Sequence, residues 1–252
     1  MAAPVAPAAA EISALFVSDL HLDPSQPQVT AQFLELLAGR ARRAPALYVL
    51  GDLFEAWLGD DDPCPDYQPV IAAFRALADA GVALYFMHGN RDFLLGERFA
   101  AATGGTLLAD PTIATCDGRR MLLTHGDALC TDDLGYQKLR GIVRDPDWQA
   151  RFLALKLAAR RTLVSEARAA SREHTANPYS MLMDVNQDAV AAAFRGADVD
   201  LMIHGHTHRP AVHSFALDGR VRTRAVLGDW HRRGSCIELS STGPELLTLE
   251  RA

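Results

Sequence analysis

The stretch ISALFVSDLH (residues 12–21) decides the fold, because it joins an apolar run directly to polar residues. The run at 12–17 is short and rich in β-branched and aromatic side chains, as is typical of a buried strand. Asp19 and His21 follow it two residues apart. In an extended backbone these two side chains would point to the same side and could bind one cation together. The sequence therefore predicts a buried strand that ends in a binding site.

The same pattern of apolar run and polar cluster recurs four times along the chain. The further runs lie at residues 46–50, 82–87, 121–123 and 199–203. The clusters that follow them are Gly51-Asp52, His88-Gly89-Asn90-Arg91-Asp92, His125-Gly126-Asp127 and His204-Gly205-His206-Thr207-His208. Segments of helical period at 29–41 and 70–80 lie between runs, so the pattern predicts an α/β fold. Because ligands bind beyond the carboxyl ends of the strands in such sheets, we expect all five clusters at one edge.

Length and composition predict one globular domain over residues 1–252. Of the 252 residues, 49% are hydrophobic and 22% are charged, which is ordinary globular usage and argues against a disordered or fibrous protein. The net charge of −6 argues against a general nucleic-acid-binding protein. No Lys or Arg precedes Arg40, and no apolar run is long enough to span a bilayer. We therefore expect a cytoplasmic protein.

Residues 134–183, called the insert below, differ from the rest of the chain in period and charge. Helical period replaces the alternation of strands and helices, and the segment carries a net charge of about +5 against about −11 elsewhere. An apolar stripe accompanies the basic residues and comprises Trp148, Phe152, Leu155, Ala159 and Leu163. Two interpretations fit this pattern: a helix packed on the core with a solvated charged face, or a lid over an amphiphilic, anionic substrate. We expect a helical lid inserted within the single domain.

Seven side chains in the polar clusters could hold metal ions. They comprise four imidazoles, two carboxylates and one amide, namely His21, His125, His206, His208, Asp19, Asp52 and Asn90. Nitrogen and oxygen ligands without thiolate suit manganese, iron or zinc, and the set is too rich in imidazole for calcium. Asp52 could bridge two cations with one oxygen to each. The residues therefore predict a site for two metal ions.

The remaining histidines are assigned other roles. We expect His204 to orient a ligand, since a metal-binding imidazole needs a partner behind it, and His88 to orient neighbouring residues. His174, His213 and His231 are expected not to bind metal. From spacing alone, His204 with His206 remains an alternative to His206 with His208.

The ordered set of five motifs resembles that of the calcineurin-like metallophosphoesterases. The matching motifs are Asp19-x-His21, Gly51-Asp52, Gly89-Asn90-Arg91-Asp92, His125-Gly126-Asp127 and Gly205-His206-Thr207-His208. The resemblance implies a four-layered α/β/β/α sandwich with a helical lid, and two Mn²⁺ ions per chain. It implies a first metal site made by Asp19, His21, Asp52 and His208. The second site it implies is made by Asp52, Asn90, His125 and His206.

Longer segments resemble one branch of this family, which hydrolyses the pyrophosphate of UDP-2,3-diacylglucosamine in lipid A biosynthesis. These segments are GDLFEAWLGDDDP (51–63), HGNRDFLLGERF (88–99), HGDALCTDDLGYQ (125–137), MDVNQ (183–187) and IHGHTHRPAVH (203–213). The resemblance implies attack at the α-phosphorus, which releases UMP and 2,3-diacylglucosamine 1-phosphate at the cytoplasmic face of the inner membrane. It implies catalytic roles for Asn90, Arg91 and His125.

The same resemblance implies a set of substrate contacts. These fall on Asn90, Arg91, Asp133, Ser171, Thr175 and His206. Two positions depart from the branch, since Thr175 stands where Asn is usual and Pro178 where Lys is usual. A proline cannot supply a cation, so we expect the local contact to sugar or phosphate to differ from that of the branch. The implied partners are the glycolipid nucleotide and, peripherally, the membrane surface.

Two other functions remain compatible with the residues. One is a phosphoesterase acting on phosphoproteins, cyclic nucleotides or nucleic acid, because function depends on the surroundings of the metal site rather than on the fold. The other is a binding module that keeps the fold without catalysis. Such a module is expected to lose ligands, whereas all seven positions are intact here. We expect no nucleic-acid partner, and the sequence predicts no oligomeric state.

Overall fold

The computed structural model describes residues 11–175 and 184–251, and of residues 170–175 only the backbone. Within these residues eleven strands are β1 Ile12–Val17, β2 Ala46–Leu50, β3 Ala83–Met87, β4 Thr106–Leu108, β5 Thr112–Cys116, β6 Arg119–Leu123, β7 Leu201–His204, β8 Ala211–Leu217, β9 Arg220–Val226, β10 Gly234–Ser240 and β11 Gly243–Leu249. They form one sheet in the order β11-β10-β1-β2-β3-β4 and a second in the order β5-β6-β7-β9-β8. Strands β1, β2, β3 and β4 run parallel, as do β6, β7 and β9.

The helices of the described chain are α1 Pro27–Ala38, α2 Gln68–Asp79, α3 Glu97–Thr103, α4 Leu134–Val143, α5 Pro146–Leu153, α6 Leu157–Thr175 and α7 Gln187–Ala197. The five predicted strands correspond to β1, β2, β3, β6 and β7, with ends that differ by at most two residues. The helical periods at 29–41 and 70–80 correspond to α1 and α2. The predicted α/β class is confirmed.

Alternation along β1 shows how the layers are built. Leu15 and Val17 pack with α1 and α2, whereas Ala14 and Phe16 face the second sheet. This period of two is what a strand with both faces buried requires. On the far side of the second sheet, Met202 packs with residues of α7. The order is therefore helices, sheet, sheet and helix, and the predicted four-layered sandwich is confirmed.

The insert does not form the continuous apolar stripe that the sequence predicts. Helix α5 ends at Leu153 and α6 begins at Leu157, so the periodicity is interrupted between them. Phe152 is buried in the core of the first sheet and Trp148 packs against it, whereas Leu155 and Leu163 are exposed. The prediction of a single stripe is wrong because sequence periodicity gives no sign of a helix break within it.

Acidic residues outside the insert neutralise much of its positive charge. The ion pairs are Arg140 with Asp110 and Asp127, Arg160 with Asp61, Arg161 with Asp62 and Arg168 with Glu55. The opposite charges of the insert and of the rest of the domain thus help to attach the insert to the domain. Basic residues that the sequence analysis assigned to an anionic substrate are therefore also structural.

We expect Asp61→Ala to lower the free energy of unfolding by about 1–3 kcal/mol, because it leaves a buried guanidinium underpaired. Arg160 is only 1% exposed; its Nη1 donates to the Leu58 carbonyl at 2.5 Å and to Asp61 Oδ1 at 2.7 Å. The matched control is Asp79→Ala, whose ion pair with Arg75 is exposed on both sides. Such a surface pair contributes little. Urea unfolding that gave equal losses for both variants would contradict the structural role of Arg160.

Candidate metal centre

Four predicted ligands form a first group where β1 and β2 end. His21 Nε2 and His208 Nε2 lie 3.3 Å apart. His208 Nε2 is 3.5 Å from Asp19 Oδ1, and His21 Nε2 is 3.7 Å from Asp52 Oδ2. Two imidazole nitrogens and two carboxylate oxygens thus converge on one small volume. This donor set fits a divalent transition metal.

A second group lies on the other side of Asp52. Asn90 Oδ1 is 3.0 Å from His125 Nε2 and 3.0 Å from His206 Nδ1. His125 Nε2 is 3.8 Å from Asp52 Oδ2, the same oxygen that faces the first group. The expectation of one Asp52 oxygen for each cation is therefore wrong, because Oδ1 instead accepts from the Arg91 N–H at 2.8 Å. Asp19, Asp52 and His125 also lie close enough together to hold one ion. The structure therefore brings all seven predicted ligands into two adjoining groups that share Asp52.

The backbone of these ligands is left-handed, not extended. Asp19, His21, Asp52, His206 and His208 have φ between 49° and 67°, and they are five of the nine described non-glycine residues with positive φ. The prediction that an extended backbone pairs the first two is thus wrong in its geometry, although the side chains do meet. Non-glycine residues in this region cost energy and concentrate at functional sites.

Two glycines let the ligand loops approach closely. A Cβ at Gly89 would lie 2.1 Å from Asp52 Oδ1, and a Cβ at Gly205 would lie 2.2 Å from Asp19 Oδ2 and from Ser18 Oγ. These distances leave no room for any side chain. Glycine at each position is therefore required for the carboxylates to reach the centre.

Burial and charge shift the pKa values of the cluster. Burial raises the pKa of Asp19, but the hydrogen bond from His208 and the surrounding imidazole charges outweigh it, so the pKa lies well below its usual range. Burial lowers the pKa of His125, but the charge of Asp52 and of neighbouring carboxylates raises it overall to about 9. Burial lowers the pKa of His206 to about 4. Opposed shifts in one cleft are typical of functional sites.

Comparison with known proteins agrees with this geometry. The family model of the calcineurin-like phosphoesterases matches residues 12–210, which span every ligand of both groups. The chain belongs to this family. It is 50% identical over 236 residues to the "UDP-2,3-diacylglucosamine hydrolase" of Escherichia fergusonii, covering 94% of this chain and 98% of that protein. The protein of the same name from Escherichia coli O81 (strain ED1a) matches to the same extent.

Solved structures show a more distant likeness. A novel archaeal phosphodiesterase is 13% identical, with 94% of this chain and 99% of that chain covered and a TM-score of 0.48. Vps29 from Entamoeba histolytica complexed with Zn²⁺ is also 13% identical, with 95% and 99% covered and a TM-score of 0.43.

In this member of the calcineurin-like phosphoesterase family, three of the four imidazoles have a partner behind the ring. His125 Nδ1 donates to the Leu50 carbonyl at 2.9 Å, and His21 Nδ1 forms an ion pair with Glu55 Oε2 at 2.9 Å. Asp229 Oδ2 faces His208 Nδ1 at 3.8 Å, which is too long for a hydrogen bond. Such partners fix the ring orientation of metal ligands. Sequence reasoning missed Glu55 and Asp229, although Glu55 follows Asp52 in the quoted GDLFE segment.

The buried carboxylate of Asp92 ties two ligand loops together. It accepts hydrogen bonds from the backbone N–H of Gly89 at 2.8 Å, of Leu53 at 2.7 Å and of Asp52 at 3.2 Å. These bonds hold the loops after β2 and β3 in register. The carboxylate is fully buried, so its place in the GNRD motif is explained by support of the ligands.

The first helix of the insert packs against the second group. The Tyr136 ring lies 5.8 Å from that of His206, and its hydroxyl donates to Asp127 Oδ2 at 2.5 Å. Arg140 Nε donates to the same oxygen at 2.9 Å. The fully buried Asp127 thereby anchors α4 beside the metal centre.

Two histidines were predicted to orient their neighbours, and others were predicted not to bind metal. His204 Nδ1 donates to the Gly205 carbonyl at 2.8 Å and its Nε2 accepts from Arg224 at 3.1 Å, which keeps it outside both ligand groups. His88 Nε2 donates to the Leu95 carbonyl at 2.7 Å. His231 stacks on His21 with ring centroids 5.7 Å apart, a contact that sequence spacing could not reveal.

The predicted substrate contacts divide into two sets. Arg91 lies at the rim of the first group, with Nη1 4.0 Å from Glu55 Oε1. Asp133 caps α4 by accepting from the Tyr136 N–H at 2.9 Å. The side chains of Ser171 and Thr175, and all of Pro178, lie outside the described residues.

Proposed function

We propose that this chain is a metal-dependent hydrolase that cleaves UDP-2,3-diacylglucosamine at the α-phosphorus, releasing UMP and 2,3-diacylglucosamine 1-phosphate. The observation that carries this proposal is the convergence of seven ligand side chains in two groups that share Asp52. The 50% identity to hydrolases named for this substrate supports the same activity. A pyrophosphate ester is a substrate on which two adjoining metal sites can act.

Each ligand group would hold one divalent cation, and we propose Mn²⁺ for both. Asp19, His21, Asp52 and His208 would hold the first. Asp52 would also serve the second, together with Asn90, His125 and His206. When bound, such a pair neutralises charge on phosphoryl oxygens and activates water for in-line attack. No nucleophilic side chain is required for this reaction.

The chain's own residues would position the pyrophosphate. Arg91 carries a guanidinium at the rim of the first group, where it can hold a phosphate through two hydrogen bonds. Asn90 precedes it and reaches the second group, so these neighbours connect substrate and ligand sites. We propose Asn90, Arg91 and His125 as the catalytic residues. Asp133, Ser171, Thr175 and His206 are proposed as further substrate contacts.

A product assay tests the proposed activity. Purified protein with UDP-2,3-diacylglucosamine and Mn²⁺ should release UMP and 2,3-diacylglucosamine 1-phosphate, identified by mass spectrometry. Chelation with EDTA should stop the reaction, and Mn²⁺ added back should restore it. Turnover that persists after complete removal of metal would contradict the proposal.

The exposed apolar side chains of the insert indicate which surface contacts lipid. Among the described residues, six of the nine exposed large apolar side chains lie in the insert, namely Leu134, Leu139, Ile142, Leu153, Leu155 and Leu163. Exposed Lys138, Arg151 and Lys156 alternate with them. An apolar surface with interspersed basic residues suits an anionic bilayer surface. We propose that the insert acts as a lid and docks peripherally at the cytoplasmic face of the inner membrane.

No helix in the described part of the chain is long and apolar enough to cross a membrane.

We expect the double variant Leu155→Ser with Leu163→Ser to bind anionic lipid vesicles less tightly and to turn over the diacyl substrate more slowly. Each buried methylene contributes about 0.8 kcal/mol, so losing two leucines should lower vesicle affinity at least about tenfold. Hydrolysis of bis(p-nitrophenyl) phosphate, which has no acyl chain, should not change. The matched control is Val221→Ser, which removes an exposed apolar side chain on β9. Equal vesicle binding by all variants in a sedimentation assay would contradict lipid contact by the insert.

A further inference from the structure

Glu55 lies between the metal centre and the insert. Its carboxylate is 24% exposed, and its two oxygens face different partners. Oε2 is 2.9 Å from Nδ1 of His21, whose Nε2 points into the first ligand group. Oε1 is 3.3 Å from Nη2 of Arg168 on α6 and 4.0 Å from Nη1 of Arg91. One side chain therefore contacts a proposed metal ligand, a proposed phosphate-binding residue and the insert.

Backbone hydrogen bonds fix Glu55 relative to His21. Beyond the ends of β1 and β2 the two segments of backbone continue side by side, and Leu22 and Phe54 form an isolated parallel bridge. The His21 N–H donates to the Asp52 carbonyl at 2.9 Å, and the Glu55 N–H donates to the Leu22 carbonyl at 3.0 Å. The contact between carboxylate and imidazole is therefore set by the main chain and does not depend on α6.

The supports of the other imidazoles differ from that of His21. His125 is held by the main-chain carbonyl of Leu50, and His208 faces Asp229 across 3.8 Å. The Leu50 partner is an uncharged carbonyl, and within the described residues Asp229 forms no ion pair with the insert. Glu55 alone among these supports also pairs with a basic residue of α6.

We propose that Glu55 is a positioning residue that couples the metal centre to the insert, through Oε2 on His21 and Oε1 on Arg168. This inference rests on the proposed metal sites, because it gives His21 the role of a ligand. Glu55 holds the ring of His21 with Nε2 toward the cation. Its other oxygen attracts the guanidinium groups of Arg168 and Arg91. Removal of both oxygens of this side chain would affect metal affinity and the attachment of α6 together.

Three variants separate the two contacts. Glu55→Ala removes both. Glu55→Gln keeps an oxygen that can accept from the His21 N–H, but its neutral amide cannot form an ion pair with a guanidinium. Asp62→Asn is the matched control, since it weakens another ion pair with α6, to Arg161 at 3.0 Å, and contacts no imidazole of the centre. Thermal unfolding shows whether each variant is folded.

Two measurements apply to every variant. Calorimetric titration with Mn²⁺ gives metal affinity and stoichiometry, and amide hydrogen exchange of residues 161–169 in the metal-free protein reports the attachment of α6. Glu55→Ala should weaken Mn²⁺ binding about 10- to 100-fold, whereas Glu55→Gln and Asp62→Asn should keep the affinity of the parent chain. All three should exchange about two- to fivefold faster in this segment, as expected for loss of one partly exposed ion pair.

Two results would overturn the inference. Glu55→Ala with unchanged Mn²⁺ affinity would show that Glu55 does not position His21. Unchanged exchange in both Glu55 variants would show that it does not hold α6. Failure of the parent chain to bind Mn²⁺ would instead contradict the proposed metal sites, so the two failures are distinguishable.

Discussion

Replacing Asp52 with alanine is expected to lower turnover by more than about 10³-fold, exceeding the loss of a single electrostatic contact in an active site. Its Oδ2 lies 3.7 Å from His21 Nε2 and 3.8 Å from His125 Nε2, so one carboxylate serves both ligand groups. Metal analysis should therefore find fewer than two Mn²⁺ per chain. Among the seven ligands, this change is expected to have the largest effect.

The conservative variant Asp52→Asn controls for side-chain shape. Oδ2 faces both ligand groups, and a neutral amide oxygen in its place is a weaker metal ligand than a carboxylate oxygen, so this variant should also weaken metal binding while keeping the volume of the side chain. The metal-free proteins should unfold at similar temperatures. Either variant with two bound metal ions and normal turnover would contradict the bridging role of Asp52.

His208→Ala is expected to lose one of two bound metal ions, whereas His204→Ala should keep both. His208 Nε2 lies 3.5 Å from Asp19 Oδ1 and 3.3 Å from His21 Nε2, within the first ligand group. His204 instead bonds the Gly205 carbonyl and Arg224, away from that group. We expect turnover to fall by about 10²-fold or more in His208→Ala and much less in His204→Ala.

Metal content per chain, measured by mass spectrometry after gel filtration, checks this pair of variants. Each removes one imidazole from the same short segment, so they control for one another. Two metal ions in His208→Ala together with one in His204→Ala would mean that His204 and His206, and not His206 and His208, bind metal.

The positions of the strands and the meeting of the ligands were predictable from sequence. Buried parallel strands require unbroken apolar runs, and such runs at β1, β2 and β3 are visible without a structure. The carboxyl ends of parallel strands share one edge, so the polar residues after each run had to meet. This rule accounts for the clusters after β1, β2 and β3, which lie in one sheet. It does not by itself bring Asp19 to His208, because β7 lies in the second sheet and the packing of the two sheets places the two side chains together.

The local geometry of the site was not predictable in the same way. Left-handed backbone at Asp19, Asp52 and His206 has no simple sequence signal, because Asp and His adopt it only where the surrounding loops impose it. The partners of the ligands are also hidden. Asp229 reaches His208 from a loop after β9, and only the tertiary fold brings the two together.

The insert shows where periodicity and charge mislead. Phe152 and Leu155 share a helical period, yet a break after α5 buries the first and exposes the second. An excess of arginine suggested an anionic ligand, although Arg160 is buried against Asp61. The net charge of a segment does not show whether its arginines bind an anionic substrate or a carboxylate of the same chain, because both attract a guanidinium.

Phosphorus NMR of the hydrolysis products formed in ¹⁸O-enriched water shows directly whether water attacks the α-phosphorus. The chain is incubated with UDP-2,3-diacylglucosamine and Mn²⁺, and the isotope shift identifies the phosphorus that accepted the solvent oxygen. Attack at the α-phosphorus places ¹⁸O on the phosphorus of UMP and none on 2,3-diacylglucosamine 1-phosphate. Label on the sugar phosphate, or no cleavage with Mn²⁺ present, would contradict it.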